Sequence, residues 1–248
     1  MKLWIPLVTF RLGRSGGLAW LLIGALWGCV DQQTQAPVPL QYRLKTVTVL
    51  NSDSTTTRTT FEYDKQNRLA AYSQDNGTYG TITYDEQNRY QRIDNGTSRQ
   101  YFTYQSYPEG RTVTLETYAI DRDGQELLTE TKRYKFDADN RLYASLYWQG
   151  SSLDANPLTQ YEITYAYTGD NIARTETKAL RFRDVYVHQY DDKINPFYGL
   201  VGPDIDEVRQ FSRNNLTQRN SYSITYEYNA QGLPIKANDT VLTYEAYQ

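Results

Sequence analysis

The single histidine and the single cysteine limit the catalytic chemistry that this sequence can support. Of these two residue types the chain contains only His188 and Cys29. A zinc site needs several such ligands, and a serine or cysteine nucleophile needs a base beside it. His188 lies in the segment VYVHQY, whose alternation is typical of a β-strand, and we predict a structural role for it. We therefore expect no metal, no cofactor and no catalytic residue of this kind.

Carboxylates are the remaining candidates for catalysis. Asp191 and Asp192 lie in the same irregular stretch as Asp204 and Asp206. Two carboxylates can act as acid and base in a glycoside hydrolase, and several can ligate calcium. The alternation of oxygen ligands that a calcium-binding loop requires is missing from this stretch. Glycoside hydrolysis is thus the least favoured function, and we expect that the protein is not an enzyme.

Aromatic side chains could instead form a binding surface. The densest cluster consists of Tyr143, Tyr147 and Trp148. On an exposed face of a sheet these rings would form a platform on which sugars stack, so we take them as candidate ligand-contact residues. The alternative, which the strand-like spacing of the aromatic residues favours, is that the rings fill the inside of a curved sheet.

Length and composition indicate one large β-rich domain. The chain has 248 residues, a usual size for a single all-β domain. It contains 24 tyrosines but only 7 phenylalanines. Tyr and Thr favour strands, whereas Asn, Asp and Gly favour turns, so this composition predicts strands joined by tight turns.

The first 28 residues have the features of a secretory signal peptide. Three basic residues and no acidic one precede an apolar run of ten residues, Leu18–Trp27. This run is shorter than the roughly 20 residues that span a bilayer, but it suits the apolar region of a signal peptide. Residues 29–40 are polar and proline-containing, and we predict a flexible tether. We assign residues 41–248 to the folded β domain.

The end of the apolar run resembles the lipobox of bacterial lipoproteins. It ends in Leu26, Trp27, Gly28 and Cys29, with a leucine three residues before the cysteine and a small residue directly before it. The resemblance implies cleavage after Gly28, lipidation of Cys29 and a place in the cell envelope, at the outer membrane. Trp27 stands where a small residue is usual. The alternative is that Cys29 is an ordinary small apolar residue of a signal peptide or membrane anchor.

The net charge argues against nucleic acid as a partner. Removal of residues 1–28 takes three of the 26 basic residues and none of the 29 acidic ones, which leaves a formal charge of −6. Scattered acidic charge offers no electrostatic footprint for nucleic acid. It does not favour an anionic membrane surface either, so the acyl chains on Cys29 would have to provide the anchor.

One short pattern recurs five times and predicts a type of β-hairpin turn. The copies are YDKQNRL, YDEQNRY, FDADNRL, YTGDNIA and YNAQGLP, which start at Tyr63, Tyr84, Phe136, Tyr167 and Tyr228. Four residues after the aromatic residue stands one that tolerates a left-handed backbone: Asn67, Asn88, Asn140, Asn171 or Gly232. A type I turn followed by one left-handed residue requires this spacing. Its first corner favours Asp or Asn, here Asp64, Asp85, Asp137 and Asn229.

The residues before each turn predict the strands. Aromatic or branched residues alternate there with polar ones, as in the segments FEY before Asp64 and ITY before Asp85. A period of two with one mostly polar face is typical of antiparallel strands that are buried on one side. We predict an all-β fold, an antiparallel meander of such hairpins that forms a curled sheet or a partly closed barrel.

The YDxxNRL pattern is similar to the YD repeat of large secreted shell-forming proteins of the Rhs and teneurin type. Here the copies start at uneven intervals of 21, 52, 31 and 61 residues, which departs from the regular array of a large shell. A nearer resemblance is to smaller Gram-negative envelope lipoproteins that combine a lipobox, a few YD-like hairpins and a late segment, here YDDKINPF at Tyr190–Phe197. The resemblance implies a fold and a cellular location, but no activity.

One stretch, residues 191–220, departs from the strand pattern. Asp204, with Glu207 three residues later, predicts the start of a short helix near 204–211. Three apolar residues follow at helical spacing: Ile205, Val208 and Phe211. Such a stripe is more typical of packing than of a binding groove. The helix could plug or cover an open end of the curved sheet.

Three functions from different classes remain open. We favour a lipid-anchored envelope protein with a non-catalytic structural or interaction role, whose partner is another envelope protein or a glycan. The second is a glycan- or lipid-binding lipoprotein that uses the concave face of the sheet. The third is a glycoside hydrolase built on Asp191, Asp192 or Asp206.

Overall fold

The computed structural model describes residues 41–150, 161–203 and 205–247. They fall within the compact unit Pro39–Gln248. The predicted signal peptide with its cleavage after Gly28, the lipidation of Cys29 and the tether at 29–40 lie outside the described residues, as does Asp204.

The described part of the chain consists almost entirely of β-strands. They are β1 Gln41–Leu50, β2 Thr56–Tyr63, β3 Leu69–Gln74, β4 Tyr79–Tyr84, β5 Tyr90–Asp94, β6 Ser98–Tyr107, β7 Gly110–Ile120, β8 Glu126–Asp137, β9 Leu142–Gln149, β10 Tyr161–Thr168, β11 Asn171–Ala179, β12 Phe182–Ile194, β13 Asn214–Arg219, β14 Tyr222–Ser223, β15 Tyr226–Tyr228, β16 Pro234–Ala237 and β17 Thr240–Tyr247. A short helix, α1, covers Glu207–Phe211. Within the described ranges, no helix has the length and apolar character needed to cross a membrane.

The strands form one antiparallel meander that curls back on itself. Each strand from β1 to β13 pairs with the next one along the chain, and so do β15 and β16. The first strand also pairs with the last, from Gln41 opposite Tyr247 to Val49 opposite Thr240. In the described part of the chain no strand pairing joins β14 to β15, so the sheet is not closed. The predicted all-β curled sheet is confirmed.

Four of the five repeated segments form the turn that their spacing predicts. Asn67, Asn88, Asn140 and Gly232 have φ angles of 62°, 60°, 63° and 76°. In the first copy, Asp64 Oδ1 accepts hydrogen bonds from the main-chain N–H groups of Gln66 and Arg68, both at 2.9 Å. Equivalent bonds to the side chains of Asp85, Asp137 and Asn229 close the other three turns. Each of these hairpins carries a register shift beside the aromatic residue, as a bulged hairpin requires.

The prediction for Asn171 is wrong. Asn171 is paired with Thr168 in the β10–β11 hairpin and is not among the described residues with positive φ. The left-handed residue is Gly169, with a φ of 59°. Only Gly169 and Asp170 lie between the paired residues, and glycine at the first central position is what a type II′ turn requires. The copy YTGDNIA therefore keeps a turn but closes it two residues earlier.

Tyrosines near the strand ends donate hydrogen bonds to main-chain carbonyls of other strands, in most cases the adjacent strand. The Tyr63 hydroxyl donates to the Leu44 carbonyl at 2.7 Å, and the Tyr84 hydroxyl donates to the Leu69 carbonyl at 2.8 Å. The same bond recurs along the sheet from Tyr104, Tyr190, Tyr226 and Tyr244 to the carbonyls of Tyr90, Ile172, Leu216 and Pro234. The rings fill the inside of the sheet, as the strand-like spacing favours. A phenylalanine would supply the ring but leave a buried carbonyl without its partner.

The inside of the sheet is filled by a segment of the chain. This plug segment, residues 195–203 and 205–211, lies between β12 and β13 in sequence. Its residues Phe197, Leu200, Val201 and Ile205 pack on a core cluster that includes Leu44, Phe61, Leu69, Ile82 and Leu242. Its residues Val208 and Phe211 belong to a second cluster, with Val113, Phe136, Leu142, Ile172 and Leu216. The plug segment therefore supports both halves of the core.

The predicted short helix is present within the plug segment. It begins later than predicted, because Asp206 and not Asp204 is its N-cap: Asp206 Oδ1 accepts a hydrogen bond from the main-chain N–H of Arg209 at 2.9 Å. Glu207 lies in the first turn, where a negative charge is favourable. Val208 faces the core and is buried.

Candidate functional site

The acidic residues proposed for catalysis have separate structural partners. Asp191 accepts hydrogen bonds from the main-chain N–H groups of Lys193 and Asn215, at 2.9 and 3.2 Å, and from the hydroxyl of Tyr228. Asp192 is exposed beside Lys193. Asp206 caps α1 and forms an ion pair with Arg219 at 2.5 Å. Among the described residues, no cluster of three or more His, Cys, Asp or Glu side chains could hold a metal ion.

His188 is part of the core. It is 5% exposed, and its Nε2 lies 3.1 Å from Thr175 Oγ1. Burial lowers the pKa of His188 to about 4, and the positive charge of Arg219, its cross-strand partner, lowers this pKa as well. The imidazole is therefore neutral at physiological pH.

The three aromatic residues of the predicted sugar platform do not share one face. Tyr147 and Trp148 are consecutive in β9, so their side chains point to opposite sides of the sheet. Tyr147 stacks on Tyr161 with 4.5 Å between ring centroids, and its hydroxyl donates to Glu130. Trp148 is only 7% exposed, under the guanidinium of Arg133. Tyr143 is 47% exposed. Residues that are close in sequence are therefore separated in the structure, because successive side chains of a strand point to opposite faces of the sheet.

In the described part of the chain, two clefts lie between the sheet and the plug segment. The larger has a volume of about 630 Å³ and is lined, among others, by Val47, Thr59, Phe61, Phe197, Ile205, Tyr222, Tyr226 and Leu242. It includes Asn51, Asn76 and Asn238 from the turns opposite the repeated ones. We call it the far cleft. Polar and apolar side chains are mixed along it, beside the interruption between β14 and β15.

The second cleft lies at the end of the sheet that carries the repeated turns, and we call it the turn-end cleft. Its volume is about 430 Å³. Strands contribute mainly aromatic walls, which are Tyr63, Tyr84, Tyr90, Phe102, Tyr104, Tyr134 and Phe136, and the plug segment contributes Leu200, Val201 and Phe211. The rim carries Asn67, Arg68, Asn88, Arg89 and Arg111. An apolar cavity with few polar groups at fixed positions is typical of a small-molecule site.

Arginines connect successive turns around this cleft. The Arg68 guanidinium lies 4.2 Å above the Tyr84 ring, and Arg68 Nη1 donates to Asn88 Oδ1 at 2.7 Å. Arg68 also pairs with Asp64 of its own turn, at 2.7 Å. Arg89 repeats this arrangement with Asp85 at 2.7 Å and with the Tyr104 ring at 4.1 Å. Each arginine therefore fixes both its own turn and the aromatic residue of the next strand pair.

Arg111 has a different environment from these arginines. Its guanidinium lies 4.0 Å above the Phe136 ring, and its Nε donates to Asn140 Oδ1 at 2.6 Å. It belongs to β7 and not to a repeated turn, so it has no aspartate four residues before it. The sequence pattern marks Asn67 and Asn88 as turn residues but does not indicate that they and the arginines line one site. The arginine that ends the YDxxNR pattern was visible as a signal for Arg68 and Arg89, but nothing in the pattern distinguished Arg111.

The chain is distantly similar to solved structures. No family model and no curated protein matches the chain. Among solved structures, a porin-like protein from Bacteroides uniformis aligns with a TM-score of 0.44 and 14% identity, over 84% of this chain and 98% of that one. A complex described as TcdB2-TccC3-Cdc42 aligns with a TM-score of 0.24 and 12% identity, over 76% of this chain and 12% of that one. Likeness at this level supports no conclusion about this chain.

Proposed function

We propose that this protein is a lipid-anchored, non-catalytic protein of the cell envelope that acts by binding another macromolecule. The observation on which the proposal rests is the plug segment, which packs on both core clusters and fills the inside of the sheet. A filled sheet provides a rigid body whose outer surface is available for contacts. The acidic residues that a glycoside hydrolase would use are bound in structural contacts, which also supports a non-catalytic role.

The lipid anchor is proposed from the lipobox-like segment that ends at Cys29. Acyl chains on Cys29 would hold the folded domain at the outer membrane, at the distance that the tether allows. Metabolic labelling of a Gram-negative host with an alkyne fatty acid tests this. We expect the label on the full chain and in the membrane fraction, and loss of both in Cys29→Ser. Equal labelling of the two proteins would contradict the anchor.

The outer part of β12 is the surface that we propose for partner binding. Pairing with β13 begins at His188, and Asn220 binds the main-chain N–H and C=O of Val187, so the described residues 182–186 form strand pairs only with β11. The large apolar side chains in this part are exposed, with Phe182 at 50%, Val185 at 38% and Val187 at 52%. An open strand edge with apolar side chains can accept an extended segment of another protein as an additional strand. We therefore expect the partner to contribute such a segment.

A proline substitution tests this surface. The Val185 carbonyl accepts from Asn220 Nδ2, so the N–H of Val185 also points to the open edge and away from β11. Val185→Pro removes this donor while the bonds to β11 are retained. We expect crosslinking to the envelope partner in intact cells to be lost in Val185→Pro and retained in Leu127→Asp, a change at a residue that is 69% exposed outside this surface. Unchanged crosslinking in Val185→Pro would contradict the surface.

The second candidate function is a glycan- or lipid-binding lipoprotein. The turn-end cleft favours it, because its aromatic walls and its volume of about 430 Å³ suit a small ligand. The ligand would enter beside the plug segment and not across the whole concave face, since the plug segment covers the middle of that face.

A further inference from the structure

The turn-end cleft contains a positive charge that no carboxylate of the described chain neutralises. Arg111 donates to Asn140 and stacks on Phe136, and no acidic side chain is among the groups that affect its pKa. Burial lowers the pKa of Arg111, and the nearby Arg89 acts in the same direction. A guanidinium stays charged in proteins, and a partly buried charge without a counter-ion is unfavourable. Arg111 is therefore predisposed to bind an anion.

A second guanidinium lies near the same place. Arg89 stacks on Tyr104, and the positive charges of Arg89 and Arg111 both act to lower the pKa of this tyrosine. Both arginines line the turn-end cleft. Arg89 is neutralised by Asp85, so the pair keeps one net positive charge. The two guanidiniums lie over different rings of the same cleft, Arg89 over Tyr104 and Arg111 over Phe136. The Nε and Nη2 of Arg89 are engaged by Asp85 and Gln87, so Arg111 would be the main ligand of a carboxylate or phosphate and Arg89 would add a second donor.

The remaining walls of the cleft favour an apolar ligand body. The hydroxyls of Tyr84, Tyr90 and Tyr104 donate to the main-chain carbonyls of Leu69, Gly199 and Tyr90. These hydroxyls are therefore already engaged, and the rings offer mainly their faces to a ligand. A neutral sugar, which needs many hydrogen-bond partners, would find few here.

We propose that the turn-end cleft binds a small amphipathic anion, with its carboxylate or phosphate held by Arg111 and Arg89 and its apolar body against Tyr104, Phe136 and Leu200. This proposal names the ligand class for the second candidate function. It depends neither on the lipid anchor nor on partner binding at β12, so its failure leaves those proposals standing.

Calorimetric titration of the full chain carrying Cys29→Ser, in a neutral detergent, tests the proposal. The probes are hexyl phosphate, hexanoate, hexanol and inorganic phosphate. We expect the two amphipathic anions to bind more tightly than hexanol and inorganic phosphate, because only they supply both the charge and the apolar body. If hexanol bound as tightly as hexyl phosphate, the negative charge would not contribute to binding, which would contradict an anion site. If inorganic phosphate bound as tightly as hexyl phosphate, the apolar body of the ligand would not contribute, which would contradict an amphipathic ligand. Absence of binding by all four would overturn it.

Substitutions of single arginines locate the site. Arg111→Gln should weaken binding of hexyl phosphate about tenfold or more, since a charge-assisted hydrogen bond is lost. The matched control is Arg122→Gln, which removes the same charge from an exposed turn residue and should bind as the parent protein does. Arg111→Lys keeps the charge and tests the site if Arg111→Gln does not fold. We expect intermediate affinity from it because lysine lacks the planar pair of donors. Parental affinity in folded Arg111→Gln and in Arg111→Lys would overturn the proposal.

Discussion

The abundance of tyrosine over phenylalanine has a structural reason in this protein. The ring of each strand-end tyrosine packs inside the sheet, while its hydroxyl donates to a main-chain carbonyl of the adjacent strand. Burial raises the pKa of Tyr104 and that of Tyr190 to about 12, so both phenols remain protonated donors at any physiological pH. Tyrosine thus combines packing with a hydrogen bond between strands.

Tyr84→Phe should show the contribution of one such bond. The substitution keeps the ring but removes the donor to the Leu69 carbonyl, now 2.8 Å from the hydroxyl. We expect the free energy of unfolding in urea to fall by about 1–2 kcal/mol, because a buried acceptor loses its partner. Tyr143→Phe is the matched control at a ring that is 47% exposed, and it should have almost no effect. Equal effects of the two changes would contradict this role.

His188 should make stability depend on pH in the mildly acidic range. Its pKa in the folded protein is about 4, below the ordinary value of 6.5, owing to burial and then to Arg219, against the opposing effect of Asp206. The unfolded chain therefore binds the proton more tightly between these two values, and the free energy of unfolding should fall as pH decreases from 6.5 to 4. Urea denaturation across this range measures the slope. His188→Gln should flatten it, and an unchanged slope would show that another group is responsible.

The repeated turns depend on a backbone conformation that few residue types adopt. Asn67 has a φ of 62°, and its side chain accepts from Arg43 Nη1 at 2.8 Å. Asn67→Val should lower the free energy of unfolding by about 1–2 kcal/mol, since a β-branched residue resists the left-handed region. Asn67→Gly loses the same side-chain bond but tolerates the backbone, so it serves as the matched control and should cost less. Thermal denaturation of both variants decides whether the backbone is the cause.

The plug segment is attached to the sheet by an ion pair as well as by apolar contacts. Lys132 of β8 pairs with Glu207 of α1, and both side chains are largely buried, at 16% and 17% exposure. Glu207→Gln leaves the Lys132 charge without its partner. We expect a loss of about 3 kcal/mol in the free energy of unfolding, measured in urea.

A double substitution separates the ion pair from the packing of the plug segment. In Lys132→Met combined with Glu207→Leu, apolar side chains of similar size replace both charges. The double variant should be more stable than Glu207→Gln, because no charge remains buried without a partner. A double variant that is less stable than the single one would mean that the pair itself contributes net stability.

The whole sheet depends on contact between its first and last strands. β1 pairs with β2 on one side and with β17 on the other, so strands from both ends of the described chain are stabilised together. Leu44 of β1 is 2% exposed in the first core cluster. Leu44→Ala should cost about 2–5 kcal/mol and should speed hydrogen exchange in β17 as much as in β2. Leu50→Ala, in the same strand but 49% exposed, is the control. Faster exchange in β2 alone would contradict joint stabilisation.

Local features of the chain were predictable from the residues themselves. The left-handed positions at Asn67, Asn88, Asn140 and Gly232 were predictable because steric clashes exclude most other residue types from that backbone conformation. The strands were predictable from the alternation of apolar and polar residues over short segments. The exception confirms this cause, because the β10–β11 turn contains Gly169, a better left-handed residue than Asn171. Where two nearby residues, here Gly169 and Asn171, can both supply the conformation, alignment with the other copies selects the wrong one.

The candidate site depends on contacts between residues that are far apart in sequence. Arg111 and Asn140 are 29 residues apart, and Tyr90 and Gly199, which the plug segment brings together, are 109 apart. No local preference encodes such distances. They arise when the sheet curls and the chain after β12 is buried inside it. Alternation indicates which side chains share a face of one strand, but which distant segment covers that face, and which charge is left without a partner there, is settled by packing of the whole domain.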